Sequence, residues 1–257
     1  MTPRELVSLG RSFWRAVAGR DPVTRYNARY GLVRKAVRRL GFRLYNDNLV
    51  WDGDPAFHAA WQTFPARGPE IKDRHFVLYS LARSVAGLEG DTVECGVFAG
   101  EGSHLICTAT ARPGRTHHVF DSFAGLSEPT GDDRPETAHS YRWRKHDLAV
   151  SQAVVERNLA QHRAITYHPG WIPGRFPDVA DRRFAFVHVD VDLFEPTRDS
   201  LEFFYPRLVP GGVLLCDDYG SAACPGAKRA FDDLAARNPE GTVVHLPTGQ
   251  GFLVRAP

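Results

Sequence analysis

Residues 184–219 read FAFVHVDVDLFEPTRDSLEFFYPRLVPGGVLLCDDY. The apolar run 184–189 ends on Asp190, and Asp192 follows one residue later. Residues 196–208 have the apolar spacing and length of a helix, and Pro210-Gly211-Gly212 reads as a turn. A second apolar run, 213–216, is closed by Asp217 and Asp218. Strand, helix, turn and strand form one crossover unit, so the two strands are predicted to be parallel. Both acid pairs then fall at the carboxyl ends of strands, the edge where open α/β sheets bind ligands. Carboxylates gathered there with no lysine beside them repel one another, and a hard cation such as magnesium is their natural partner. Asp192 opens the following helix and reads as its N-cap, with the cation as its competing role.

The pattern extends outward from this unit. Further strands are expected at 92–98, 117–120 and 164–168, with helices at about 101–111, 150–162 and 226–237 between and after them. Alternating strands and helices imply a parallel sheet covered on both faces. Two short apolar runs, 243–246 and 252–255, flank Pro247-Thr248-Gly249-Gln250-Gly251 and predict an antiparallel C-terminal hairpin. Residues 1–68 differ from the rest. Leu6, Leu9, Phe13, Trp14 and Val17 share one helical face, and Val33, Ala36, Val37 and Leu40 share another. We read 1–68 as a helical extension that serves as a lid or an oligomer contact, and 69–257 as the catalytic domain.

The loop after the first predicted strand is glycine-rich: Val93-Glu94-Cys95-Gly96-Val97-Phe98-Ala99-Gly100-Glu101-Gly102-Ser103. Glycines there let a ligand approach the backbone between a strand and a helix N-terminus. The dinucleotide fingerprint is not met, because Phe98 and Glu101 stand where a frame starting at Gly96 needs glycine. Glu94 and Glu101 also disfavour a pyrophosphate. An acid on the first strand, a glycine loop, and Asp121 closing the second strand beside Ser122 is the layout of an S-adenosylmethionine site. A carboxylate at Asp121 can accept both ribose hydroxyls. Trp171, after the third strand, is a candidate cover for the adenine.

Composition sets the outer limits. The chain has 257 residues, 43% hydrophobic, with a net charge of +2, which points to no nucleic-acid partner. No run reaches the ~18 apolar residues of a membrane span. The cysteines Cys95, Cys107, Cys216 and Cys224 lack CxxC spacing, and a reduced, cytoplasmic protein is expected.

The segments VECGVFAGEGS, FDSFAGL, HDLAVSQAVVERNL, HPGWIPGRFP, the central stretch quoted first, and ACPGAKRAFDD together resemble the bacterial O-methyltransferases of the macrocin and mycinamicin type, which include the noviose methyltransferase of novobiocin assembly. The resemblance implies a class I methyltransferase (Rossmann-like) α/β fold, S-adenosylmethionine as donor, magnesium, and a sugar hydroxyl as acceptor. It places Asp190, Asp217 and Asp218 as metal ligands, and Glu94, Gly96, Val97, Gly100, Ser103, Asp121, Ser122 and Trp171 around the donor. The chain has Val191 and Phe194 where the family motif often carries Gly and Tyr. Two groups are candidates for removing the acceptor's proton: Asp190, acting as ligand and base together, and His139, in the long polar loop 125–146. Asp147 reads as a helix N-cap and His188 as a satisfied core histidine. A homodimer or higher homo-oligomer is expected. Alternative functions are a catechol-type methyltransferase and a non-catalytic glycan-binding module.

Overall fold

A computed structural model describes residues 10, 13–18, 22–39, 41, 51, 53–65, 72–135, 140–238 and 243–256. The chain divides into two compact units, Met1–Gly53 and Asp54–Pro257. In the first, residues 13–18 are helical and α1 (Pro22–Arg39) starts on its proline, whose fixed φ and missing N–H suit a first helical position. Arg29 Nε donates to the Ala16 carbonyl at 3.1 Å, tying the two helical pieces together. Leu6, Leu9 and Leu40, placed on helical faces by periodicity, lie outside the described residues.

The division falls earlier than the 68/69 boundary read from sequence. The reason is α2 (Pro55–Thr63), which Asp54 caps by accepting from Ala56 N and Phe57 N. Phe57 is buried and packs against Phe76 and Tyr79 of α3 (Lys72–Ser84), with ring centroids 5.3 and 5.7 Å apart. This helix therefore belongs to the second unit.

That unit is built on a seven-stranded sheet of order β3-β2-β1-β4-β5-β7-β6. Its strands are β1 (Asp91–Cys95), β2 (His117–Asp121), β3 (Ile165–Pro169), β4 (Phe184–Val189), β5 (Leu208–Cys216), β6 (Val244–His245) and β7 (Gly251–Val254). The first five pair in parallel, while β7 is antiparallel to both β5 and β6. Every residue of β1 and β4 is buried, as expected for central strands covered on both faces. On one face Val93, Cys95, Phe184, Val187 and Val189 join Leu201 and Phe204 of α6 (Phe194–Phe204) and Ala230, Phe231 and Leu234 of α7 (Pro225–Arg237). Between β1 and β2 runs α4 (Glu101–Thr110), and α5 (Gln152–Asn158) precedes β3.

Three local readings change. Pro210-Gly211-Gly212 is not a separate turn but lies within β5. The strand starts earlier than expected because Gly211, at φ +78°, bulges, and the register slips from Phe184↔Leu208 to Phe186↔Val213. Asp192 does not cap α6. It sits at φ +60°, a conformation that an N-cap does not use, and Leu193 holds the cap position instead. Asp147 opens no helix either; α5 begins five residues later behind Ser151.

Candidate active site

Strand register assembles the site. Cys95, Val189 and Cys216 lie side by side across β1, β4 and β5. Asp190 N–H then donates to the Cys95 carbonyl and Asp217 N–H to the Val189 carbonyl, both at 2.9 Å. Asp190 and Asp217 are thus neighbours just beyond the sheet's carboxyl edge. Gly96 leaves β1 at φ +80°, and a Cβ there would stand 1.9 Å from the Asp190 carbonyl oxygen. Only glycine allows this close approach of the two strand ends.

On the donor side, Asp121 ends β2 with its carboxylate fixed by two backbone donors. Val97 N–H reaches Oδ2 at 2.8 Å and Phe123 N–H reaches Oδ1 at 2.7 Å. A carboxylate has about four lone-pair sites, so each oxygen retains capacity to accept a hydroxyl. Burial raises the proton affinity of Asp121 and these backbone bonds oppose it. Gly100, at φ +97°, caps α4. Gly170 N–H donates to the Asp121 carbonyl at 2.9 Å, which sets Trp171, 45% exposed, beyond the end of β3 on the same edge.

Two other donor-side candidates face inward. Glu94 is buried and accepts from Ser103 Oγ–H and, at 2.8 Å, from His188 Nδ1–H. Ser103 also meets His117 Nε2 at 2.9 Å. Gly102 lies against this carboxylate, since a Cβ there would stand 2.1 Å from Glu94 Oε1 and displace it. Ser122 Oγ–H donates to the Gly125 carbonyl at 2.7 Å and accepts from Ala124 N–H at 3.0 Å, so it holds the turn after β2.

The acids form two adjoining groups. Ligand atoms of His188, Asp190 and Asp217 lie within 4.8 Å of one another, as do those of Asp192, Asp218 and Cys224. Within the second group Asp192 N–H donates to Asp218 Oδ2 at 3.0 Å. Burial raises the proton affinity of Asp190, and the charges of Asp217 and Asp218 raise it further. Burial and Asp218 do the same to Asp192, and Asp218 is pushed up to about 6 by burial and by Asp217. Asp217 goes the other way, to about 2. Burial opposes its ionisation, but His188, Arg74 and Gln250 outweigh it.

Those three partners are not apparent from sequence as parts of the site. Arg74, on α3, pairs with Asp217 and lies 3.9 Å from Asp218. Gln250, in the hairpin, donates to Asp217 Oδ1 at 2.5 Å. His188 is a core histidine as expected, yet it is more than that. Its Nε2 lies 3.5 Å from Asp217 Oδ1, so one ring bridges the acid of β1 and the acid that follows β5. Burial disfavours its charge, but Asp217 and Glu94 together raise its pKa to about 10. The signals the sequence does carry are Glu94 and His188, each inside a predicted strand, and Gln250 standing in a predicted hairpin turn. His139 lies outside the described residues.

A parallel sheet with one reversed strand, a glycine loop after its first strand and an acid closing its second define the class I methyltransferase fold. Residues 78–240 match the family described as Macrocin-O-methyltransferase (TylF), and the chain belongs to that family. It is an enzyme, an S-adenosylmethionine-dependent O-methyltransferase. It is 36% identical over 216 residues to the 8-demethyl-8-(2,3-dimethoxy-alpha-L-rhamnosyl)-tetracenomycin-C 4'-O-methyltransferase of Streptomyces olivaceus, covering 76% of this chain and 81% of that one. It is 35% identical over 158 residues to the mycinamicin III 3''-O-methyltransferase of Micromonospora griseorubida, covering 57% of this chain and 62% of that one. Among solved structures, the O-methyltransferase NovP superposes with a TM-score of 0.62 at 29% identity, covering 72% of this chain and 80% of that one. A calicheamicin methyltransferase shares the fold at a TM-score of 0.61 and 19% identity, covering 99% and 93%. Among the described residues no helix is long and apolar enough to cross a membrane.

Proposed function

We propose that the enzyme methylates a sugar hydroxyl of a glycoside, oligosaccharide or glycosylated natural product, with magnesium held by Asp190, Asp217 and Asp218. One observation carries the reading. Carboxylates converge where β4 and β5 end, and Asp190 and Asp218 hold protons above the ordinary carboxylate range because burial and neighbouring charge disfavour ionisation. His188 and Arg74 offset part of the charge at Asp217, and the remainder suits a dication. The three side chains are an all-oxygen donor set, the kind magnesium takes. Magnesium bound there would lower the pKa of an acceptor hydroxyl and hold its oxygen. The named substrates of the tetracenomycin and mycinamicin relatives support a glycosylated acceptor.

The chain's own residues divide the remaining work. Asp121 offers its free lone pairs to the donor's ribose, and the glycine loop lets the donor lie close to the backbone. Alignment matters most, because the sulfonium is already an activated methyl source. The acceptor oxygen gains the methyl group as the carbon–sulfur bond breaks, and the hydroxyl proton goes to Asp190, which acts as ligand and base together, or to His139.

The test is a magnesium titration of chelator-treated enzyme with labelled donor and a panel of glycosides. Activity should return with magnesium, and Asp217→Ala/Asp218→Ala should remain inactive while still binding donor. Full turnover in chelator, or an active double variant, overturns the metal part of the reading.

A further inference from the structure

Residues 140–148 have no place in the mechanism above, and one of them, Trp143, reaches towards the acids through Cys224. Trp143 is partly buried, and its indole Nε1–H donates to Cys224 Sγ at 3.3 Å. Cys224 Sγ lies 3.6 Å from Asp192 Oδ1, and Asp192 is bonded to Asp218. The indole is therefore joined to the acid cluster by a short chain of direct contacts. Tyr141 packs edge-on against Trp143, with centroids 4.8 Å apart at 68°, yet remains 58% exposed.

This exposed ring is held in place. Tyr141 O–H donates to Asp147 Oδ2 at 3.1 Å, and the same oxygen accepts from Arg144 N–H at 2.9 Å. The base of the segment is laced to the turn after β2: Leu126 N–H donates to the Asp147 carbonyl and His146 N–H to the Leu126 carbonyl, each at 2.9 Å. His146 and Leu148 adopt φ of +71° and +63°, a conformation non-glycine residues take only when their surroundings enforce it. A fixed aromatic pair with an open face thus stands next to buried carboxylates.

A pyranose ring fits that combination. It has apolar C–H faces that settle on aromatic rings, and a rim of hydroxyls that donate to carboxylates. Large apolar surface with a few placed polar groups is the usual make-up of a small-molecule site. We propose that Tyr141 and Trp143 form the stacking subsite for the acceptor's sugar ring, holding it while one hydroxyl is turned to the acids. This rests on the reading of the acceptor as a glycoside. An apolar aglycone stacked on the same rings is the competing occupant, and the test separates the two.

The experiment compares wild type with Tyr141→Ala, Tyr141→Phe, Trp143→Leu and Trp143→Phe, using methyl glycosides beside glycosides of a large apolar aglycone. Thermal melting checks that each variant is folded; Tyr141 is exposed, so its variants keep the readout should Trp143→Leu fail to fold. Acceptor KM should rise about tenfold in Tyr141→Ala and Trp143→Leu, the factor that ~1.4 kcal/mol represents. The kcat and the donor KM should stay near wild type, and both Phe variants should keep most of the acceptor affinity. Calorimetric acceptor binding in the presence of S-adenosylhomocysteine should fall in step. If wild type methylates no glycoside, the acceptor reading fails and the subsite falls with it. If wild type methylates glycosides but the Ala and Leu variants keep their KM, only the subsite is overturned. A KM that changes only for acceptors carrying a large aglycone overturns the subsite in the same way.

Discussion

At the scale of single residues, Asp121 shows how a side chain can be both fixed and available. Val97 and Phe123 N–H groups hold one oxygen each, and a carboxylate with about four lone-pair sites keeps capacity beyond these bonds. On the proposed reading of the donor site, Asp121→Ala removes the acceptor offered to ribose hydroxyls and leaves backbone donors without their partner. Binding of S-adenosylhomocysteine should weaken by roughly 1–3 kcal/mol, the range for unpaired buried polar groups. Calorimetry that returned wild-type affinity would take Asp121 out of the site. Its position is readable because an acid closing an apolar run is a local signal, and the same signal marks Asp190, Asp217 and Asp218. Arg74 gives no such signal. It reaches Asp217 from 143 residues away in sequence, and nothing in the pattern around it on α3 distinguishes it from a solvated arginine. Asp192 misleads for a related reason. Its type and place suit a cap, but its backbone at φ +60° aims the side chain at Cys224 and leaves the capping position to Leu193.

At the scale of elements, the cap that α6 lacks in its own sequence comes from far away. Asp133 closes a short 3-10 turn, Gly131–Asp133, in which its Oδ2 accepts from Thr130 N–H at 2.7 Å. Its Oδ1 accepts from Phe194 N–H, the first residue of α6, at 2.6 Å. One buried carboxylate therefore ties the loop after β2 to the helix that follows Asp190. Gly226 of α7 lies against both, since a Cβ there would meet Phe194 Cβ at 2.6 Å and Asp133 Oδ1 at 2.7 Å. Asp133→Ala should cost about 0.5–2 kcal/mol, the usual worth of a cap, and Asp133→Asn should cost less. Urea unfolding with an unchanged midpoint for Asp133→Ala would show that α6 does not depend on this bond. The strands are legible because each is a short apolar run bounded by turn residues, and 184–189 matches β4 as observed. The extra length of β5 is not, because Pro210 and two glycines imitate a turn. What makes that stretch a strand is tertiary: Gly211 N–H donates to the Arg255 carbonyl at 2.9 Å and Arg255 N–H to the Gly212 carbonyl at 2.8 Å.

At the scale of the whole molecule, stability in acid is a balance between two sets of buried groups. His117 is fully enclosed, and burial, followed by the charges of other histidines, lowers its pKa to about 3. Its ring is satisfied while neutral, with Nδ1 2.9 Å from Thr92 Oγ1 and Nε2 2.9 Å from Ser103 Oγ. His75, on α3, is lowered to about 4, chiefly by burial. Between those values and the ordinary 6.5, the unfolded chain binds protons that the folded chain refuses, so these histidines make stability fall as pH falls. Three of the site's acids act in the opposite sense, while Asp217, lowered to about 2, does not. Asp190, Asp192 and Asp218 take up protons in the folded state above the ordinary carboxylate pKa, so protonation there favours the fold as pH drops towards about 4. The overall curve is the difference of the two sets, and only a variant isolates one of them. His117→Gln keeps a donor and an acceptor for Thr92 and Ser103 but cannot titrate. Unfolding free energy should be measured by urea at several pH values from about 4 to about 6.5 for both proteins. The wild-type slope should exceed that of His117→Gln by up to about 1.4 kcal/mol per pH unit, the value for one proton. The two curves should draw parallel above about pH 7, where His117 is neutral whether the chain is folded or not. Parallel curves across the acid range as well would mean that His117 takes its proton in the folded state near the ordinary pKa, and that the core around it admits a charge.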